Sequence, residues 1–296
     1  MTADSPDGFE YEPSSKHSSP KSREHYWAVA IGLQQVDGLE VSPFLRDVAD
    51  AHIRGDHDLA EVGSLIRAHH ENGEHEAFRE ADHVSHRIAE ILSSKAFFLS
   101  PDFLIHIHRH LFQDLDTSVY HPGEFKTERM VKQEEILNGD SVLYADPSTY
   151  EMALHGAFER EHAKDYGAFD DKNFKDFCQA IAFLWQIHPF YEGNTRTIAV
   201  FSELYLNYLG FDISNEPFEK HARYYRDALV RSMYRNAAAN TFPTLEFLMS
   251  FYGNAIGLRN DPLDREALIC SALFDKPELL RNVSPLEALH KKDQQK

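Results

Sequence analysis

His188-Pro189-Phe190-Tyr191-Glu192-Gly193-Asn194-Thr195-Arg196-Thr197 is the stretch on which the reading of this chain turns. The residues before it, Asn173 to Ile187, carry Phe174, Phe177, Cys178, Ile181, Leu184 and Trp185 at helical spacing. Pro189 biases His188 away from the α region, so a helix is expected to end there. After the stretch, Val200, Phe201, Leu204, Tyr205 and Tyr208 again follow a helical period, and Gly210 suits a helix C-terminus. The ten residues therefore read as a tight loop running into a helix N-terminus.

Such a loop has a definite chemistry. Free backbone N–H groups and the positive end of a helix dipole attract phosphate. Gly193 permits close backbone approach. The Asn194 amide can donate, and Arg196 can grip phosphate oxygens with its planar fork. Glu192 is a hard carboxylate suited to Mg²⁺, which commonly arrives with a nucleotide's phosphates. His188 is a candidate general base. A P-loop is the other phosphate-binding pattern, but G-x-x-x-x-G-K-[ST] is absent.

The stretch resembles the signature of the Fic family, HPFx[DE]GNGRxxR. The resemblance implies an all-α core in which the motif joins two helices, with transfer of AMP from ATP-Mg²⁺ to a hydroxyl side chain of a target protein. By position, His188 matches the general base, Glu192 the magnesium ligand, and Gly193, Asn194, Thr195 and Arg196 the phosphate-holding residues. Two positions depart from the pattern: Thr195 stands for the second Gly and Ala199 for the second Arg. The second departure removes a cation that family members use on the outer phosphate. Tyr225, in Tyr225-x-x-Ala228-Leu229, resembles a family segment near the nucleotide base and is expected to contact it.

The rest of the chain is read around this loop. It has 296 residues, 42% of them hydrophobic, enough for one large domain with accessory segments. Acidic residues number 48 against 30 basic, a formal charge of −18. That balance disfavours direct binding to nucleic acid or to an anionic membrane. Two cysteines, Cys178 and Cys270, make no disulfide framework, and no stretch has the apolar length of a membrane span. A reducing cytoplasm fits best.

Residues 1–24 are rich in Ser, Pro, Asp and Lys and read as a disordered tail. Residues 25–79 read as a helical module of three helices: one from His25 to Asp37-Gly38, one capped by Ser42 with Pro43, and one opened by Asp58. The module resembles the small helical inhibitors of Fic toxins, with their motif [S/T]xxxE[G/N]. Leu33-Gln34-Gln35-Val36-Asp37-Gly38 is a degenerate match, which makes Asp37 and Gly38 the inhibitory candidates and Ala199 the missing partner of the usual ion pair. The absent Arg implies weak restraint by Asp37.

Residues 80–257 are assigned to the Fic domain and 258–296 to a C-terminal helical tail. Ser100-Pro101 opens a helix in which His106 and His110 share a face, but no third ligand completes a metal set. From Tyr120 to Ala145 the pattern is charged, with turn signals at Pro122-Gly123 and Asn138-Gly139 and an extended run at Ser141 to Tyr144. In the family this position holds a short β-hairpin flap that docks the target, which would involve Lys126, Lys132 and Glu134.

The sequence thus yields an all-α Fic fold with a hairpin flap, acting as a protein adenylyltransferase with ATP, Mg²⁺ and a protein carrying a Ser, Thr or Tyr hydroxyl. Two alternatives stay open. One is a catalytically impaired nucleotide-binding or interaction protein. The other is a Fic enzyme using UTP, a phosphocholine carrier or phosphoryl transfer.

Overall fold

A computed structural model describes residues 19–281 apart from Asn72 and Glu74. Most of the expected N-terminal tail and the chain beyond Arg281 lie outside the described residues. The helices run α1 (Pro20–Gly32), α2 (Pro43–Arg54), α3 (Leu59–His70), α4 (Glu76–Ser94), α5 (Pro101–Phe112), α6 (Thr117–Tyr120), α7 (Tyr150–His162), α8 (Asp171–Ile187), α9 (Asn194–Tyr208), α10 (Glu216–Lys220), α11 (Ala222–Met233), α12 (Glu246–Ala255) and α13 (Ser271–Asp275). The described residues form an all-α fold, as the family resemblance implied.

Local chemistry explains where many of these helices start. Ser42 accepts from Leu45 N–H ahead of Pro43, and Ser100 accepts from Phe103 N–H ahead of Pro101. Asp58 and Glu61 form a reciprocal capping box at the start of α3. The first helix begins at Pro20 rather than His25, because Ser19 caps it through Ser22 N–H. Its C-terminal end tightens at Gly32 into a 3₁₀ segment, Leu33–Asp37, which Gly38 terminates in a left-handed conformation.

α9 lies at the centre. Every residue from Asn194 to Leu206 is buried, so the helix has no solvent face over most of its length. It packs against α4, α5, α8 and the 3₁₀ segment. The segment read as an N-terminal helical module shares this interior: one hydrophobic cluster runs from Tyr26 to Leu273, and α1 packs on α4 and α10. The approach of α1 to α10 requires Gly32, since a Cβ there would stand 2.4 Å from the Glu219 Cα.

The flap is where expectation and structure differ. Among the described residues the only β-pairing is an isolated bridge, Asn236 to Thr241. The Asn138-Gly139 turn is present, with both residues at positive φ. The flanking chain forms no ladder. Glu135–Leu137 winds into a 3₁₀ turn with Ile136 and Leu137 buried, and Cys270 N–H donates to the Ile136 carbonyl. With those two side chains buried and the Ile136 and Asn138 polar groups bonded to Cys270 and Leu273, the chain turns inward, away from the register a hairpin would need.

Candidate active site

The quoted loop is fixed by its neighbours. α8 ends at His188, whose φ of +51° is unusual for a residue with a side chain. Asn194 clasps the loop: its Oδ1 accepts from Phe190 N–H at 3.0 Å and its amide donates to the Phe190 carbonyl at 2.8 Å. The Trp185 indole donates to Thr195 Oγ1 at 3.1 Å. Gly193 sits at φ +72° against Phe112, where a Cβ would lie 2.0 Å from the ring, so both conformation and space demand glycine.

His108 of α5 supports the loop from below. Gly123 N–H donates to His108 Nδ1 at 2.9 Å. The ring proton therefore sits on Nε2, which donates to the Glu192 carbonyl at 3.0 Å. The ring also stacks on Phe190 with centroids 3.8 Å apart. Burial lowers His108 to about 3, so it stays neutral. Of the three histidines on this helix, the buried one positions the loop, and the His106–His110 face carries no metal set among the described residues.

A cavity of about 160 Å³ opens over the N-terminus of α9, lined by His188, Glu192, Asn194, Thr195, Lys126 and Lys132, with Asp37 at its edge. The N–H groups of the first helical turn have no intrahelical acceptors, so they and the dipole face an incoming anion. Burial holds the His188 imidazole well below its ordinary value, and Lys126 and Lys132 push the same way, so the ring is neutral at physiological pH. It stacks on Tyr144, centroids 4.0 Å apart. Tyr144 donates to Glu134 at 3.4 Å. Burial raises Glu134 to about 7 although Arg226, 2.7 Å away, favours its ionised form.

Of the residues expected to dock a target, Lys126 and Glu134 are instead buried, at 2% and 1% exposure. The chain here folds under rather than out: Lys126 N–H donates to the Pro189 carbonyl, and Glu134 turns in to Arg226. Burial lowers Lys126 to about 8, with Glu192 opposing the shift. Lys132 is half-buried and bridges two carboxylates, 3.5 Å from Asp37 and 3.8 Å from Glu192.

Arg196 is also placed differently from expectation. Its guanidinium is fully buried and does not line the cavity. It donates to Gln34 at 3.1 Å and to Glu80 at 2.6 Å, and lies over the Phe112 ring. Its Nε is 3.1 Å from Asp37 Oδ2. The expected absence of an ion pair at Asp37 is therefore corrected. Ala199 is buried within α9, and the pairing moves one turn back along the helix to Arg196. Burial would raise the Asp37 pKa, but Arg196, Lys132 and Arg226 outweigh it and hold the carboxyl below its usual range.

Arg223 and Arg226 of α11 donate to the Gln35 and Val36 carbonyls, so together with Arg196 of α9 the 3₁₀ segment is held from two helices. Asp37 separates the first cavity from a second of about 110 Å³ lined by Arg223, Arg226 and Arg265. Tyr225 reaches neither. It is fully buried and shares a hydrogen bond with Tyr252 at 2.8 Å, a core role set by the inward face of α11.

Sequence reasoning missed Gln34, Glu80, His108 and Tyr144. His108 carried a signal, since it falls on the apolar face with Leu104 and Leu111. Gln34 and Glu80 carried none, because their meeting with Arg196 spans 162 and 116 residues of chain. The Fic/DOC family model matches residues 98–206, which contain α5, the loop and most of α9. No curated protein matches the chain.

Proposed function

We propose, on the premise that residues 98–206 match the Fic/DOC family model, that the protein transfers AMP from ATP to a hydroxyl side chain of another protein. The observation that carries this reading is the neutral His188 imidazole on the floor of a cavity that also holds the Glu192 carboxylate and the N-terminus of α9. Hydroxyl side chains are weak nucleophiles at neutral pH, and even Tyr has a pKa of about 10. A neutral imidazole can accept the hydroxyl proton as the oxygen attacks the α-phosphorus. The new O–P bond forms, the bond to the bridging oxygen breaks, and pyrophosphate leaves. The first N–H groups of α9 are oriented to stabilise the charge that develops on the phosphoryl oxygens.

The donor set suits Mg²⁺. Glu192 presents a partly exposed carboxylate whose Oε1 is steadied by Gly193 N–H at 3.1 Å. An ion that brings phosphate oxygens and water needs only one or two protein carboxylates. Bound Mg²⁺ would neutralise charge on the phosphates. The cavity as it stands is below the roughly 300–1,000 Å³ of ordinary ligand pockets, and Asp37 divides it from its neighbour. These features support an inhibited resting state in which the 3₁₀ segment fills the nucleotide's place.

The test is incubation of the full chain, and of its Asp37→Ala variant, with α-labelled or γ-labelled ATP and a cell lysate. Label carried to protein from the α-phosphate is expected. Label from the γ-phosphate alone would mean phosphoryl transfer and would refute the proposal, as would transfer from UTP with none from ATP.

A further inference from the structure

Lys126 has a feature that target docking does not explain. Its ammonium is buried, lines the cavity beside His188 and Glu192, and reaches no hydrogen-bond acceptor. Its near neighbours are two aromatic rings, Tyr144 at 5.6 Å and Tyr150 at 5.9 Å. A buried ammonium without a hydrogen-bonding partner is costly, and folded proteins rarely retain one without a counter-ion. Its backbone is tied to the catalytic loop, since Lys126 N–H donates to the Pro189 carbonyl at 2.9 Å. The Lys126 backbone is therefore fixed relative to the loop that carries His188, and its side chain reaches the same cavity.

The loop itself has lost a cation. Ala199 is buried and does not line the cavity. Arg196 is held by Gln34 and Glu80, with Asp37 alongside. Within the cavity the positive groups are Lys126 and Lys132, and Lys132 already faces two carboxylates. We propose that Lys126 is a phosphate-binding residue of the site: its ammonium meets phosphoryl oxygens of the nucleotide donor and supplies the cation absent at Ala199. The identity of the donor rests on the function proposed above, but the affinity for phosphoryl oxygens does not.

The experiment compares the full chain with its Lys126→Met and Lys126→Arg variants. Thermal melts without ligand are followed by calorimetric titration with inorganic pyrophosphate and with ATP-Mg²⁺. Met preserves length and removes the charge, so Lys126→Met is expected to melt at or above wild type while losing about tenfold or more in pyrophosphate affinity. Lys126→Arg should keep most of that affinity. Unchanged pyrophosphate binding by Lys126→Met would overturn the proposal. So would an absence of pyrophosphate binding by both wild type and Asp37→Ala. If Lys126→Met melts lower, Lys126→Arg decides: retained affinity supports phosphate binding, and lost affinity assigns a purely structural role. Pyrophosphate binding that depends on Lys126 without any AMP transfer would refute the proposed function alone. AMP transfer by Lys126→Met at the wild-type rate would refute the role of Lys126 alone.

Discussion

Replacing Arg196 by Ala removes the one group that ties three segments together. Its guanidinium is fully buried and meets Gln34 and Asp37 of the 3₁₀ segment, Glu80 of α4 and the face of Phe112 on α5. Deleting it leaves the Gln34 carbonyl with no exposure to water and two carboxylates whose side chains are only 22% and 16% exposed. Breaking a buried ion pair by removing one partner costs about 3–5 kcal/mol. For a domain of this size each kcal/mol lowers the melting temperature by roughly 2–4 °C, so the expected fall is about 6–20 °C. Thermal and urea denaturation of the full chain measure it. The charges account for the loss if Arg196→Met combined with Glu80→Gln and Asp37→Asn recovers much of it, since no carboxylate is then left unpaired. A guanidinium reserved for phosphate would behave oppositely, because its removal would relieve an unpaired charge. A loss below about 1 kcal/mol for Arg196→Ala would refute the clamp described here.

Other outcomes follow from the same geometry. His188→Ala should lower AMP transfer by about 10²–10⁴-fold with ATP-Mg²⁺ binding retained, and full activity would remove His188 as the base. Asp37→Ala frees Lys132 and one edge of Arg196 and joins the two cavities, so calorimetry should show ATP-Mg²⁺ binding tighter by about 5–30-fold, equivalent to one to two kcal/mol. Unchanged affinity would mean that Asp37 does not restrain the site. Stability should also fall in mild acid: burial lowers His52 and His83 to about 4 in the folded chain. The unfolded histidines bind protons below about pH 6.5 while the folded ones do not, so stability is full above that value and declines as the pH drops toward about 4. Equal urea midpoints at about pH 7 and pH 5 would contradict this.

The sequence by itself determined the helices and the loop. Apolar period, Ser and Asp caps and Pro at first positions are local signals, and they located α2, α3, α5, α8 and α9 closely. The motif marked out His188 and Glu192, which the fold brings to one cavity, because a loop before a helix is also a local arrangement. What the tertiary structure decided was the partners of the charges around the site. Arg196 reads from sequence as a phosphate ligand, and Lys126 and Glu134 read as surface. Yet Arg196 is taken by Gln34, Glu80 and Asp37, Lys126 is tied to the His188 loop, and Glu134 turns in to Arg226. The flap's missing ladder has the same origin, since Ile136 and Leu137 are drawn into the interior. A buried charge selects its partner from whatever segments the packing brings within a few ångströms, and that proximity is not encoded in spacing along the chain.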